Sequence, residues 1–315
     1  MKKALVLLNM GGPNSLDEVS LFLKNMFSDK HILPIPNRLV RSLVAWIITK
    51  RRTPIAQENY RQLGGKSPLV SHSNHLRDAL QERLGDEWIV TLAMRYTPPF
   101  AHEAIEELQT ATISHLYLLP MYPHHSTTTT DSSVEDFLMY MSMAHWDVTT
   151  TIMGHYYAFQ SYNEAIVTSI LENIEHKEIA TTSLIFSAHG LPQSVIDKGD
   201  LYEKHIEAHV EILKKMLREK GVVFADVTLA YQSKVGPMKW LEPSLESALE
   251  KQKEYKKALI YPIAFTVDNS ETEFELSIEY AHKAKELGYD SYRVVPALNA
   301  HPMFVDALTK MVQNA

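Results

Sequence analysis

Ser183-Leu184-Ile185-Phe186-Ser187-Ala188-His189-Gly190-Leu191-Pro192 is the stretch from which the rest of the chain can be read. Its first half is a short apolar run, rich in branched and aromatic side chains, of the kind that forms a buried strand. Small residues and a histidine follow, and Gly190 and Pro192 end the strand at once. In parallel α/β sheets the residues just past the carboxyl ends of the strands line the ligand crevice. His189 is therefore expected at such a crevice, where an imidazole can hold a metal or move a proton near neutral pH. A histidine that merely hydrogen-bonds its turn is the plainer alternative.

Similar apolar runs occur at 4–8, 88–93, 115–119, 148–152, 227–230, 258–261 and 292–295. Helical periodicity occupies much of the chain between them, at 18–26, 101–110, 162–174, 205–220, 241–255 and 274–287. Strands alternating with helices imply parallel sheet with right-handed crossovers. Four runs precede residue 155 and four follow it. The expected fold is α/β, with two similar Rossmann-like doubly wound domains over 1–154 and 155–315, each built on a four-stranded parallel sheet. The last helix is free to pack back on the first domain.

A chain of 315 residues can bury a large core. Its charge, 31 − 38 = −7, gives no nucleic-acid footprint. It contains no cysteine, which excludes disulfides, thiolate zinc sites, a cysteine nucleophile and a cysteine-ligated iron–sulfur cluster. Met1-Lys2-Lys3 before an apolar run imitates a signal peptide, but the run stops at Asn9 with no small-residue cleavage site after it. It reads as a first strand, and a cytoplasmic protein is expected. Gly11-Gly12-Pro13 and Gly64-Gly65-Lys66-Ser67 fit neither the dinucleotide nor the P-loop phosphate pattern.

Residues 32–52 mix Leu39, Val40, Leu43, Trp46 and Ile47 with Arg38, Arg41, Lys50, Arg51 and Arg52. Such a basic apolar helix is either a domain helix with a solvated face or a lid that touches a greasy ligand or an anionic membrane surface. Pro34 and Pro36 suggest a mobile segment leading into it.

After the seventh run comes Asp268-Asn269-Ser270-Glu271-Thr272-Glu273-Phe274-Glu275, with Glu279 beyond. Asp268, Asn269 or Ser270 can cap a helix there. On an α-helix Glu271, Glu275 and Glu279 stack at i, i+4, i+8, repelling by a few tenths of a kcal/mol per pair. Either the face is wet or a cation or proton path runs along it. His189 and Glu271 each follow a strand end, and one imidazole with one carboxylate suits a divalent ion that is delivered rather than kept.

Ordered blocks then carry a resemblance. They are Gly11-Gly12-Pro13, Arg51-Arg52-Thr53-Pro54, Gly64-Gly65-Lys66-Ser67-Pro68, Tyr122-Pro123, Phe186 to Pro192, Tyr231-Gln232-Ser233-Lys234-Val235-Gly236-Pro237-Met238-Lys239-Trp240-Leu241 and Pro262-Ile263-Ala264-Phe265-Thr266. Together, over about residues 5–306, they resemble the ferrochelatases, which insert ferrous iron into a porphyrin at the last step of haem synthesis. The resemblance implies a porphyrin cleft between two domains and a lip formed by 32–52. By position, His189 and Glu271 match the metal-binding and proton-removing pair, and Asp268 and Glu275 match an acidic proton or metal path. Met10, Arg95, Tyr96, Tyr122, Ser126 and Trp240 match substrate-binding positions. A short π-helical turn near the glutamates is also implied.

On this resemblance the partners are porphyrin and ferrous iron; peripheral contact with a membrane is the further expectation that the basic apolar character of 32–52 raises. Iron is a substrate, no cofactor is permanently bound, and the iron–sulfur cluster of some members is excluded by the missing cysteines. The family usually carries a histidine where this chain has Asn269, which cannot take a proton. Rival readings are a chelatase for a sirohydrochlorin-type ring and a tetrapyrrole carrier without turnover.

Overall fold

The computed structural model describes residues 1–315 apart from Val235 and Pro237, so part of the 231–241 block lies outside the described residues. All the apolar runs are strands: β1 (Lys2–Asn9), β2 (Trp88–Met94), β3 (Ile113–Pro120), β4 (Thr150–Ile152), β5 (Ser183–His189), β6 (Asp226–Gln232), β7 (Lys257–Tyr261) and β8 (Ser291–Val294). They form two four-stranded sheets, ordered β2-β1-β3-β4 and β6-β5-β7-β8. Every pairing is parallel, as the alternation of strands and helices requires. The chain divides into two compact units. One comprises Met1–Tyr122, Ser126–Gly154 and Leu308–Ala315, and the other Pro123–His125 and His155–Ala307.

In the first unit β1 is interior to its sheet, and no residue of Ala4–Leu8 is more than 1% exposed. A parallel strand covered on both faces reads as a continuous apolar run, which is why this one is so plain in the sequence. Alternate residues Ala4, Val6 and Leu8 share a cluster with Ile105, Leu108 and Phe137 from helices α4 (Ala101–Gln109) and α5 (Ser132–Met143). Each such fully buried Leu, Ile or Phe contributes roughly 1.5–3 kcal/mol. The same unit holds α1 (Val19–Ser28), α2 (Arg38–Gln62) and α3 (Leu69–Leu84).

Helix α2 departs from the expected 32–52 segment. It begins at Arg38, where Asn37 Oδ1 accepts the Leu39 and Val40 N–H groups, and continues through Pro54 to Gln62. The prolines at 34 and 36 stay outside it. The segment before it is fastened by Arg41, whose guanidinium donates to the Ser28 and Ile35 carbonyls. Ala45 and Tyr60 pack against Phe22 and Leu23 of α1, while Leu39, Leu43, Trp46 and Ile55 are all more than half exposed. Among the described residues no helix is long and apolar enough to cross a membrane.

The second unit repeats the strand order of the first. Helices α6 (Gln160–Glu172), α7 (Tyr202–Glu219), α8 (Leu245–Gln252) and α9 (Tyr280–Glu286) surround its sheet. Leu245, Ala248 and Leu249 of α8 and Ala284 of α9 cluster with Ile185 of β5 and Ala258 and Ile260 of β7. From β5 the chain passes to β6 on one side and then to β7 on the other. Connections that leave adjacent strands in opposite directions open a crevice at their carboxyl ends. His189 closes β5, and the chain beyond β7 leads to Glu271, so both fall at this switch point.

Candidate active site

Gly190 sets the position of His189. Its N–H donates to the Gln232 carbonyl at 2.8 Å. A Cβ there would sit 2.6 Å from that oxygen, so the close approach of the β5 and β6 ends requires glycine. The His189 carbonyl accepts the Tyr202 hydroxyl at 3.0 Å, fixing the residue from its other side. Its imidazole Nδ1 then meets Glu271 Oε2 at 2.8 Å, with the two side chains 35% and 25% exposed. Burial pushes the imidazole pKa down, but Glu271, through its charge and hydrogen bond, and the Glu275 carboxylate outweigh it and raise the pKa above the ordinary value.

The acidic segment corrects the α-helical stacking expected of it. Glu271–Glu279 is a π-helix, and the Tyr280 N–H donates to the Glu275 carbonyl five residues back. The wider turn breaks the i, i+4, i+8 register. Glu271 and Glu275 are partly buried whereas Glu279 is exposed. Burial, followed by the like charge of Glu271, raises the Glu275 pKa to about 7 despite hydrogen bonds from Ser233. The helix is capped by Asn269, whose Oδ1 accepts the Glu271 N–H at 2.7 Å and the Thr272 N–H at 3.3 Å. Asp268 has partners of its own: its carboxylate accepts the Ala297 N–H and the Asn299 Nδ2, while its N–H donates to Asn299 Oδ1. It is 6% exposed and belongs to that clasp.

Several site neighbours had no assigned role in the sequence reading. Buried Gln232 accepts the Ser187 hydroxyl through Oε1 at 2.7 Å. Its Nε2 donates to the Glu271 carbonyl at 3.5 Å and Glu275 Oε2 at 3.4 Å. Ser233 donates its N–H to Glu275 Oε1 at 2.8 Å and its hydroxyl to Oε2 at 2.5 Å. Both stand in the 231–241 block, which was the signal available for them. Tyr202 had none, since its contact with His189 spans a loop. Trp240 is 9% exposed and pairs with Pro192 in an isolated bridge just after the His189 turn.

The remaining predicted residues lie in the first unit and form their own network. Arg95 donates to Ser132 Oγ at 2.9 Å and pairs with Asp29 at 3.2 Å and Asp136 at 3.1 Å. Its guanidinium lies 5.2 Å from the Tyr96 ring centre. The Tyr96 hydroxyl donates to Asp29 at 2.9 Å, and its N–H donates to the Met10 carbonyl. Tyr122 shares a 3.1 Å hydrogen bond with Ser133, so Arg95 and Tyr122 meet the same first turn of α5. Burial raises the phenol pKa values of Tyr96 and Tyr122. Ser126 is 1% exposed and accepts the Thr128 N–H, capping the short helical turn that follows.

Comparison with known proteins bears on the family and the fold. The ferrochelatase family model matches residues 2–315. A ferrochelatase of Sulfurimonas denitrificans is 50% identical over 307 residues, covering 98% of this chain and 97% of that protein. One of Wolinella succinogenes is 51% identical over 312 residues, covering 99% and 98%. Among solved structures, SirB from Bacillus subtilis with Fe3+ shares the fold at a TM-score of 0.57 and 11% identity, covering 100% of this chain and 95% of that one. A family match along the whole chain, joined to relatives of about half identity over nearly all of it, settles the assignment: the chain belongs to the ferrochelatase family.

Proposed function

We propose that the His189–Glu271 pair is where this chain carries out its family's reaction, the insertion of ferrous iron into a porphyrin to form haem. The 2.8 Å contact between these side chains, at the switch point of the second sheet, is the observation that carries the reading. Iron enters as substrate, and no resident cofactor is invoked. The Glu271 carboxylate is a hard anionic ligand that replaces part of the water shell of Fe2+. The two pyrrole N–H bonds break as the ring nitrogens bind the metal, and two protons must leave. His189, made more basic by its two carboxylate neighbours, accepts one. Glu275, poised with a pKa of about 7, suits the second. Both protons then pass to solvent, which balances the reaction.

The ring is protoporphyrin IX on this reading. Peripheral contact of α2 with an anionic membrane surface is included, supported by exposed Leu39, Leu43 and Trp46 beside Arg38, Lys50 and Arg51. The test is anaerobic incubation with Fe2+ and either protoporphyrin or coproporphyrin, followed by absorbance. Catalytic formation of metalloporphyrin, faster with protoporphyrin, is the expected result. Stoichiometric porphyrin binding without metalloporphyrin would make the chain a carrier instead.

A further inference from the structure

We propose that Ser233 is a positioning residue, which aims the Glu275 carboxylate as the second acceptor behind the His189–Glu271 pair. The proposal rests on the reaction assigned above and deepens it.

Ser233 follows directly on β6 and has φ of +68°. Left-handed backbone is uncommon for any residue but glycine, and where such strain persists the surrounding structure must hold it. Here the conformation has a visible use. It turns the Ser233 N–H towards Glu275 Oε1 at 2.8 Å while the hydroxyl reaches Oε2 at 2.5 Å. One residue thus grips both oxygens of one carboxylate. Gln232 adds a third donor to Oε2 at 3.4 Å and also reaches the Glu271 carbonyl. The β6 end therefore holds the π-helix at Glu271 and at Glu275, and Ser187 fixes Gln232 in turn. A carboxylate partly buried beside another would swing towards water if left free, because solvation and like-charge repulsion both favour that. Ser233 opposes the swing. It does not need to touch iron or porphyrin to matter, since partners that orient the groups at a metal site typically alter activity about 10–100-fold when removed.

A double-mutant cycle separates this role from simple support of the loop. Initial rates of metalloporphyrin formation are compared for wild type, Ser233→Ala, Glu275→Gln and the double variant. Ser233→Ala should lower kcat about tenfold with KM for porphyrin unchanged. In the Glu275→Gln background the same change should cost less than about twofold, because the carboxylate it aims is gone. Ser233→Gly guards against a folding artefact, since glycine accepts the positive φ without strain. It should melt no lower than wild type yet lose activity at least as much as Ser233→Ala. Equal losses in both backgrounds, or a silent Ser233→Ala beside an active wild type, would overturn the positioning role alone. A wild type without turnover overturns the proposed reaction and takes the positioning role with it.

Discussion

Asn269 Oδ1 accepts the backbone N–H of Glu271 at 2.7 Å, so the residue that cannot act as a base instead fixes the residue proposed as the iron ligand. The Asn269 N–H in turn donates to Thr272 Oγ1 at 3.0 Å, closing a reciprocal cap on the first turn of the π-helix. Removing a cap oxygen costs ~1 kcal/mol. In a chain of this size that lowers Tm by about 2–4 °C. Asn269→Ala should therefore melt lower and lose activity together. Asn269→Ser keeps an acceptor oxygen and should recover most of both. If Ser behaves like Ala, the cap is not what positions Glu271.

The carboxylates of the π-helix should grade in importance. Glu271→Gln removes the anionic ligand and is expected to abolish turnover at every iron concentration. Glu275→Gln should lose about 10–100-fold, and more iron or buffer should recover part of it. Glu279 is exposed, so Glu279→Gln should be nearly silent. Rates for the three single variants test the order. Equal effects at 271 and 279 would contradict the partition between site and solvent.

This grading also marks where the sequence could be read and where it could not. The strands were plain because parallel strands covered on both faces must be apolar throughout, as Ala4–Leu8 and Leu184–Phe186 are. His189 was legible because Gly190 and Pro192 announce the strand end. The π-register came only through the family resemblance, because residue-by-residue spacing assumes α-helix until distant contacts, here from Gln232 and Ser233, decide otherwise. Helix α3 buries Leu69, Leu76, Leu80 and Leu84 at helical spacing, yet His72, Ser73 and His75 among them dilute the apolar stripe and hide the helix from its pattern. The Tyr202 contact with His189 depends on how a loop folds back, which leaves no local pattern.

Acid should destabilise the second unit through a buried histidine chain. Asn163 Nδ2 donates to the Tyr157 carbonyl, so Asn163 Oδ1 must accept from His209 Nε2 at 2.7 Å. His209 Nδ1 then accepts from His124 Nε2 at 2.8 Å, leaving His124 Nδ1 buried without a partner. Burial lowers both imidazole pKa values, that of His209 to about 3. The folded state therefore binds fewer protons than the unfolded state below pH ~6.5, and stability falls as pH drops from there towards 3. Each such histidine costs up to ~1.4 kcal/mol per pH unit in that window. His209→Gln should flatten the fall of Tm with acid. An unchanged slope would mean that other groups govern acid unfolding.

Helix α2 presents Leu39, Leu43 and Trp46 to solvent beside a basic flank. Vesicles containing anionic lipid should shift Trp46 fluorescence in a variant lacking the other tryptophans, and added salt should weaken the effect. Leu43→Ser with Trp46→Ser should remove sedimentation with vesicles while leaving the melting temperature unchanged. No binding by the intact chain would return α2 to an ordinary domain helix.

In the proposed reaction, His189 paired with Glu271 performs metal insertion. The most direct measurement is the initial rate of haem formation from Fe2+ and protoporphyrin under anaerobic conditions, for wild type and His189→Ala, with porphyrin binding followed in parallel. Wild type should turn over many times. His189→Ala should bind porphyrin and melt like wild type yet form haem at least about a hundredfold more slowly. A His189→Ala protein that keeps most of the wild-type rate would contradict the account.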